Sequence, residues 1–156
     1  MNPSGDIPDN QAYVPFTPPA GLYTASVPEG WAQSSSGSAT TFSDKLNSAR
    51  FEQKSTPAAP STATVTAEVV PALRFAHPGF TLTDVTPFAR TGGSGVLVRY
   101  EADAPANAVT ASTHRQAVED YLFWKNGTQV DVSLTSPKGA DNVDPWKKIT
   151  DSFTWR

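Results

Sequence analysis

The chain has 156 residues, 38% hydrophobic and 17% charged, which is enough for one substantial core and too few for two ordinary domains. A formal net charge of −3, from 12 basic and 15 acidic residues with no run of Lys or Arg, argues against nucleic acid or anionic lipid as a partner. With no cysteine, thiol catalysis, disulfides, thiolate metal sites and iron–sulfur clusters are excluded, so stability has to come from packing.

Met1 to Gly21 holds five of the 14 prolines and reads as extended. Its first eleven residues are expected to be a mobile tether that buries little, whereas Tyr13, Val14 and Phe16 should lie against the domain that runs from Leu22 to Arg156. Leu22 to Val27 reads as a strand ended by the Pro28-Glu29-Gly30 turn, followed by Trp31. Gln33 to Ser38 is expected to be a Ser/Gly loop, and Ala39 to Ser43 and Ala49 to Gln53 two short strands.

After a loop at Ser55 to Pro60, Thr62 to Arg74 carries Val65, Val69 and Leu73 at helical spacing, with Pro71 either ending or kinking the helix. Phe80 to Arg90, Gly95 to Asp103 and Val118 to Asn126 read as strands, with a polar, Ala-rich loop at Ala104 to Ser112. Asn126-Gly127 is a hairpin signal leading into Gln129 to Ser136. Lys147 to Phe153 reads as a closing helix, with Asp144 as N-cap and Pro145 at its first position.

Side-chain alternation predicts how the sheet is covered. Tyr121 and Phe123 point one way and Leu122 and Trp124 the other, so this strand should be covered on both faces. Val130, Val132 and Leu134 alternate with Asp131, Ser133 and Thr135, which predicts one wet face. The expected fold class is α+β, an antiparallel sheet flanked by helices.

Pro28-Glu29-Gly30-Trp31, Phe42-Ser43-Asp44-Lys45, the strand from Gly92-Gly93 to Tyr100, Asp141 to Trp146 and Asp151-Ser152-Phe153 resemble, in that order, the PsbP-like domains. The resemblance spans Tyr13 to Trp155 and is closer to the lipoproteins of that fold in actinobacteria. It implies an α-β-α sandwich and non-catalytic work: an extracytoplasmic module that binds or assists another cell-envelope protein, or a carrier or sensor of a small apolar or glycan ligand held between sheet and helix. It also implies a monomer, anchored through a lipidated cysteine that would lie upstream of Met1 together with a signal peptide. Met1-Asn2-Pro3-Ser4-Gly5-Asp6 reads either as a start placed on a trimmed mature sequence or as a native start.

No residue is assigned to catalysis, a cofactor or a metal. His77 and His114, the only histidines, are widely spaced and make a poor metal pair. Gly93-Ser94-Gly95 is too short for a nucleophile elbow, and Gly92-Gly93-Ser94-Gly95 precedes a strand where a phosphate cradle would open a helix. Asp141, Asn142 and Asp144 lack calcium-loop spacing. Asn126-Gly127-Thr128 matches a glycosylation sequon but is read as a turn. Of the tryptophans, Trp31 and Trp146 are expected in or at the edge of the core and Trp124 inside the sheet, so no aromatic platform with Trp155 is expected.

Overall fold

The structure is a computed structural model and describes residues 5–104 and 114–156. The loop expected at Ala104 to Ser112 therefore lies, beyond Ala104, outside the described residues. Among the described residues ten strands form two antiparallel sheets. The small one orders β1 (Tyr13–Phe16), β2 (Tyr23–Pro28) and β10 (Thr154–Trp155) as β1-β2-β10. The large one contains β3 (Ala32–Ser36), β4 (Ala39–Ser43), β5 (Ser48–Ser55), β6 (Thr81–Arg90), β7 (Gly93–Asp103), β8 (Arg115–Lys125) and β9 (Thr128–Pro137), in the order β3-β4-β5-β9-β8-β7-β6.

One face of the large sheet carries the main core. Phe51 from β5, Phe123 from β8 and Val130, Val132 and Leu134 from β9 meet Phe16, Tyr23 and Val27 from the small sheet. They also meet Trp146, Ile149 and Phe153, which come from or directly follow helix α3 (Val143–Ser152). Stacking of Phe123 on Phe153, with ring centroids 3.9 Å apart, joins β8 to the end of the chain.

The opposite face is covered over β7 and β8 by a helical segment, so helices lie on both faces, as an α+β sandwich requires. The segment begins at α1 (Thr62–Thr64), where Ser61 and Thr64 close a capping box. It continues through a π turn at Val65–Val69 and ends as α2 (Val70–Ala76). Pro71 neither ends the helix nor stops its packing. Proline has no N–H to give to the preceding turn, and beside it the ladder widens so that Val70 N–H donates to Val65 O.

Four further expectations change. Gln33 to Ser36 is strand, because β3 pairs with β4 in full register and only the tip turns at Gly37, φ +59°. Helix α3 starts at Val143, so Asn142 is the N-cap, Asp144 sits in the first turn and Pro145 is third. A proline fits there because the first N–H groups of a helix have no intrahelical partner. Trp124 is half-buried rather than enclosed, and its Nε1 donates to Thr56 O at 2.7 Å. The first eleven residues also differ from a bare tether, since Ile7 is 6% exposed and belongs to the main core.

Candidate functional site

The second face of the large sheet changes character from one side to the other. Over β7 and β8, Val96, Val98, Tyr100, Val118 and Leu122 pack beneath Val65 and Val70. Toward β9 and β5 the same face turns polar, because the register sets Asp120 opposite Ser133, Leu122 opposite Asp131 and Trp124 opposite Gln129, and those β9 residues in turn opposite Arg50, Glu52 and Lys54 of β5. Between the helical segment and this face lies a groove of about 410 Å³. Val65, Glu68 and Val69 form its helical wall, Leu122 and Gln129 its floor, and Lys54 with the loop at 56–60 its far side.

Two carboxylates lie on this face under unusual conditions. Asp120 is 6% exposed, and among the described residues its Oδ1 has no hydrogen-bond partner. Burial pushes its carboxyl up to about 7, partly offset by the Ser133 hydroxyl across the strand, while Asp131 pushes it further and Arg50 and Lys54 draw it back. Burial also raises the Asp131 carboxyl, against the pull of Lys54 Nζ at 3.4 Å and of the Gln129 amide, whose Nε2 donates to Oδ1 at 2.8 Å. Burial raises the Tyr100 phenol, with Asp120 adding to it, and the Tyr100 hydroxyl lies 3.3 Å from His77 Nε2.

The residues weighed from sequence have other work. His77, lowered by burial, closes α2 against Tyr100, whereas His114 is exposed just before β8. Among the described residues no three His, Asp or Glu side chains converge as a metal site. Asp141 accepts from Val143 N–H, and Asn142 binds the N-terminal segment. Asn126 (φ 49°) and Gly127 (φ 83°) make the β8–β9 turn. The glycines at 92 and 95 permit close approach: a Cβ at Gly92 would stand 1.7 Å from Phe153 O, and one at Gly95 1.8 Å from Leu122 O. Trp146 is buried, and Trp31 and Trp155 are partly buried against the main core, away from the groove.

Sequence reasoning passed over Asp120 and Asp131. The signal for Asp120 was present, since an acid falls on the same face as Leu122 and Trp124 within an otherwise apolar run. Asp131 was assigned to a wet face, yet Gln129 beside it is 5% exposed, because the loop at 56–60 and the helical segment reach over that part of β9.

Neither a known family model nor a curated protein matches the sequence. Among solved structures, the solution structure of cyanobacterial PsbP (CyanoP) from Synechocystis sp. PCC 6803 superposes with a TM-score of 0.66. It is 13% identical, and the match covers 99% of this chain and 100% of that one. The fold is PsbP-like. The Saccharomyces cerevisiae Ran-binding protein Mog1p also superposes, with a TM-score of 0.60 at 10% identity, covering 94% of this chain and 96% of that one. A crystal structure from Bacteroides thetaiotaomicron matches with a TM-score of 0.58 at 12% identity over 91% of this chain, which spans only 48% of that protein. Among the described residues no helix is long and apolar enough to cross a membrane.

Proposed function

We propose that the chain is a non-catalytic binding module that assists another cell-envelope protein outside the cytoplasm, as a monomer tethered by a lipidated cysteine upstream of Met1. The observation that supports this reading is the PsbP-like fold, which spans nearly the whole chain, together with the superposition on the Ran-binding protein Mog1p. Its test is crosslinking of the tagged protein in intact cells, followed by fractionation. Recovery with an envelope protein, together with an upstream reading frame encoding a signal peptide that ends in cysteine, supports the reading. A native start at Met1 with the protein in the cytosol overturns it.

A second reading, that the module carries a small ligand, is favoured by the groove between helix and sheet. Its volume of about 410 Å³ falls in the range of small-molecule sites, and apolar Val65, Val69 and Leu122 stand beside polar Glu68, Gln129 and Lys54. Binding of an apolar ligand that perturbs the amide signals of these residues in NMR spectra tests it.

A further inference from the structure

Among the described residues, four strands lie at the edges of the two sheets, and three of them are guarded. β6 slips register between Leu82 and Asp84 and carries Pro87, β1 has four residues and contains Pro15, and β10 has two residues. Bulges, proline and shortness keep a further strand from pairing with an edge. β3 has none of these. It pairs with β4 in unbroken register, holds no proline and no charge, and is exposed at all five positions.

The β3–β4 turn fixes which backbone groups are free. Its loop has two residues, Gly37 and Ser38, so Ser36 and Ala39 form the closing hydrogen-bonded pair. Alternation then turns Ser34 and Ala32 toward β4 and leaves the N–H and C=O of Gln33 and Ser35 pointing outward. No other backbone group among the described residues meets them. Ser35 pairs with Thr40 and Thr40 with Phe51, so the Ser35 side chain lies on the main-core face of the sheet, and there a cleft of about 170 Å³ opens. Ser35, Thr40 and Gln53 line it from the sheet, and Pro18, Pro19 and Ala20 from the β1–β2 connection.

Resting on the reading of the chain as a protein-binding module, we propose that β3 receives an extended segment of the partner protein as an eighth, antiparallel strand of the large sheet, with one aliphatic side chain of that segment in the cleft. A residue opposite Ser35 exchanges both backbone hydrogen bonds with it and projects its side chain on the cleft's side of the sheet. The cleft is smaller than the roughly 300 Å³ at which small-molecule sites begin, and Pro18, Pro19 and Ala20 give it an apolar wall. Its size suits one side chain. A second copy of this chain fits less well, because β3 would bring only Gln33 or a serine to the cleft and no aliphatic group. Since β3 is uncharged, the paired backbones supply the affinity and the cleft the selection.

The test titrates the full chain with the peptide acetyl-Thr-Thr-Ser-Leu-Ser-Thr-Thr-amide up to millimolar concentration, read by calorimetry and by amide hydrogen exchange. Slowed exchange at Gln33 and Ser35, with the amides of β6 unchanged, supports the added strand. N-methylation of the peptide's leucine removes its hydrogen bond to Ser35 O, and aspartate in place of that leucine puts a charge in the cleft. Each should weaken binding about tenfold or more. Ser35→Pro removes one outward N–H and no bond to β4, so it should abolish binding, and the altered peptides decide the same point without touching the fold. Unchanged exchange at Gln33 and Ser35 overturns the strand site and leaves the binding-module reading to its own crosslinking test. Equal binding of the aspartate peptide overturns the cleft as the selecting element. A concentration-dependent dimer that Ser35→Pro dissolves overturns the partner segment in favour of a second copy.

Discussion

Ile7 donates its backbone N–H to Asn142 Oδ1 at 2.8 Å, across 135 residues of sequence. Asn142 Nδ2 in turn donates to Gly5 O and to Asn47 Oδ1, and Asn47 Nδ2 reaches the same Gly5 oxygen at 2.9 Å. The N-terminal segment therefore satisfies two buried amides as well as filling a core position with Ile7.

Removal of residues 1–11 should then destabilise the protein by roughly 3 kcal/mol, combining lost apolar burial with buried amide groups left unpaired. Urea melts of the truncated and full chains measure it. A loss within about 0.5 kcal/mol, the size typical of a surface change, would restore the tether expected from sequence.

Phe123 and Trp124 are adjacent on β8 and face opposite ways. Phe123 is 0% exposed and stacked on Phe153, so Phe123→Ala should cost roughly 3 to 5 kcal/mol. Trp124 is half-buried with one hydrogen bond to Thr56 O, and Trp124→Ala should cost about 2 kcal/mol. The reverse order in denaturant melts would mean that the helix-side face of β8 carries more of the core than Phe123 does.

Asp120 gives the protein a pH dependence with a definite sign. Its carboxyl is raised from 3.8 to about 7 in the folded chain, so folding is favoured by its proton. That stability is fully present below the unfolded value near 3.8 and is lost as pH rises toward 7, a change on the order of a few kcal/mol. Asp131, also raised, acts in the same direction. Asp120→Asn keeps the shape without the ionisation, so it should leave stability nearly unchanged at pH 4 and increase it at pH 8. Thermal melts of both proteins across that range decide the matter, and a variant less stable than the parent at pH 8 sinks the assignment.

Gly92 and Gly37 separate two uses of glycine. An alanine at Gly92 would place Cβ 1.7 Å from a backbone oxygen that cannot move without shifting the Phe153 stack. Gly92→Ala should cost about 3 kcal/mol or more, and the strain-only Gly37→Ala, with φ +59° and open space around it, about 1 kcal/mol. Equal losses would show that the β6–β7 turn has room to open.

What the sequence determined by itself was local and periodic. Alternation in Val130, Val132 and Leu134 told which side of β9 is core, and the apolar residues on both sides of Phe123 told that β8 is covered twice. Asn126-Gly127 located the hairpin because only a few residues tolerate its positive φ angles. Tertiary structure decided everything that depends on what lies across space. The Gln33 to Ser36 stretch has no apolar pattern and becomes a strand because β4 offers a free edge to pair with. Ile7 is a single apolar residue among polar ones, and only the folded chain brings Asn47 and Asn142 to meet it. Asp131 looks like an ordinary acid in sequence, and Asp120 is marked only by the apolar Val118, Leu122 and Trp124 that share its face. Their common face is set by the register between β8 and β9, so no local pattern could have marked them as a pair.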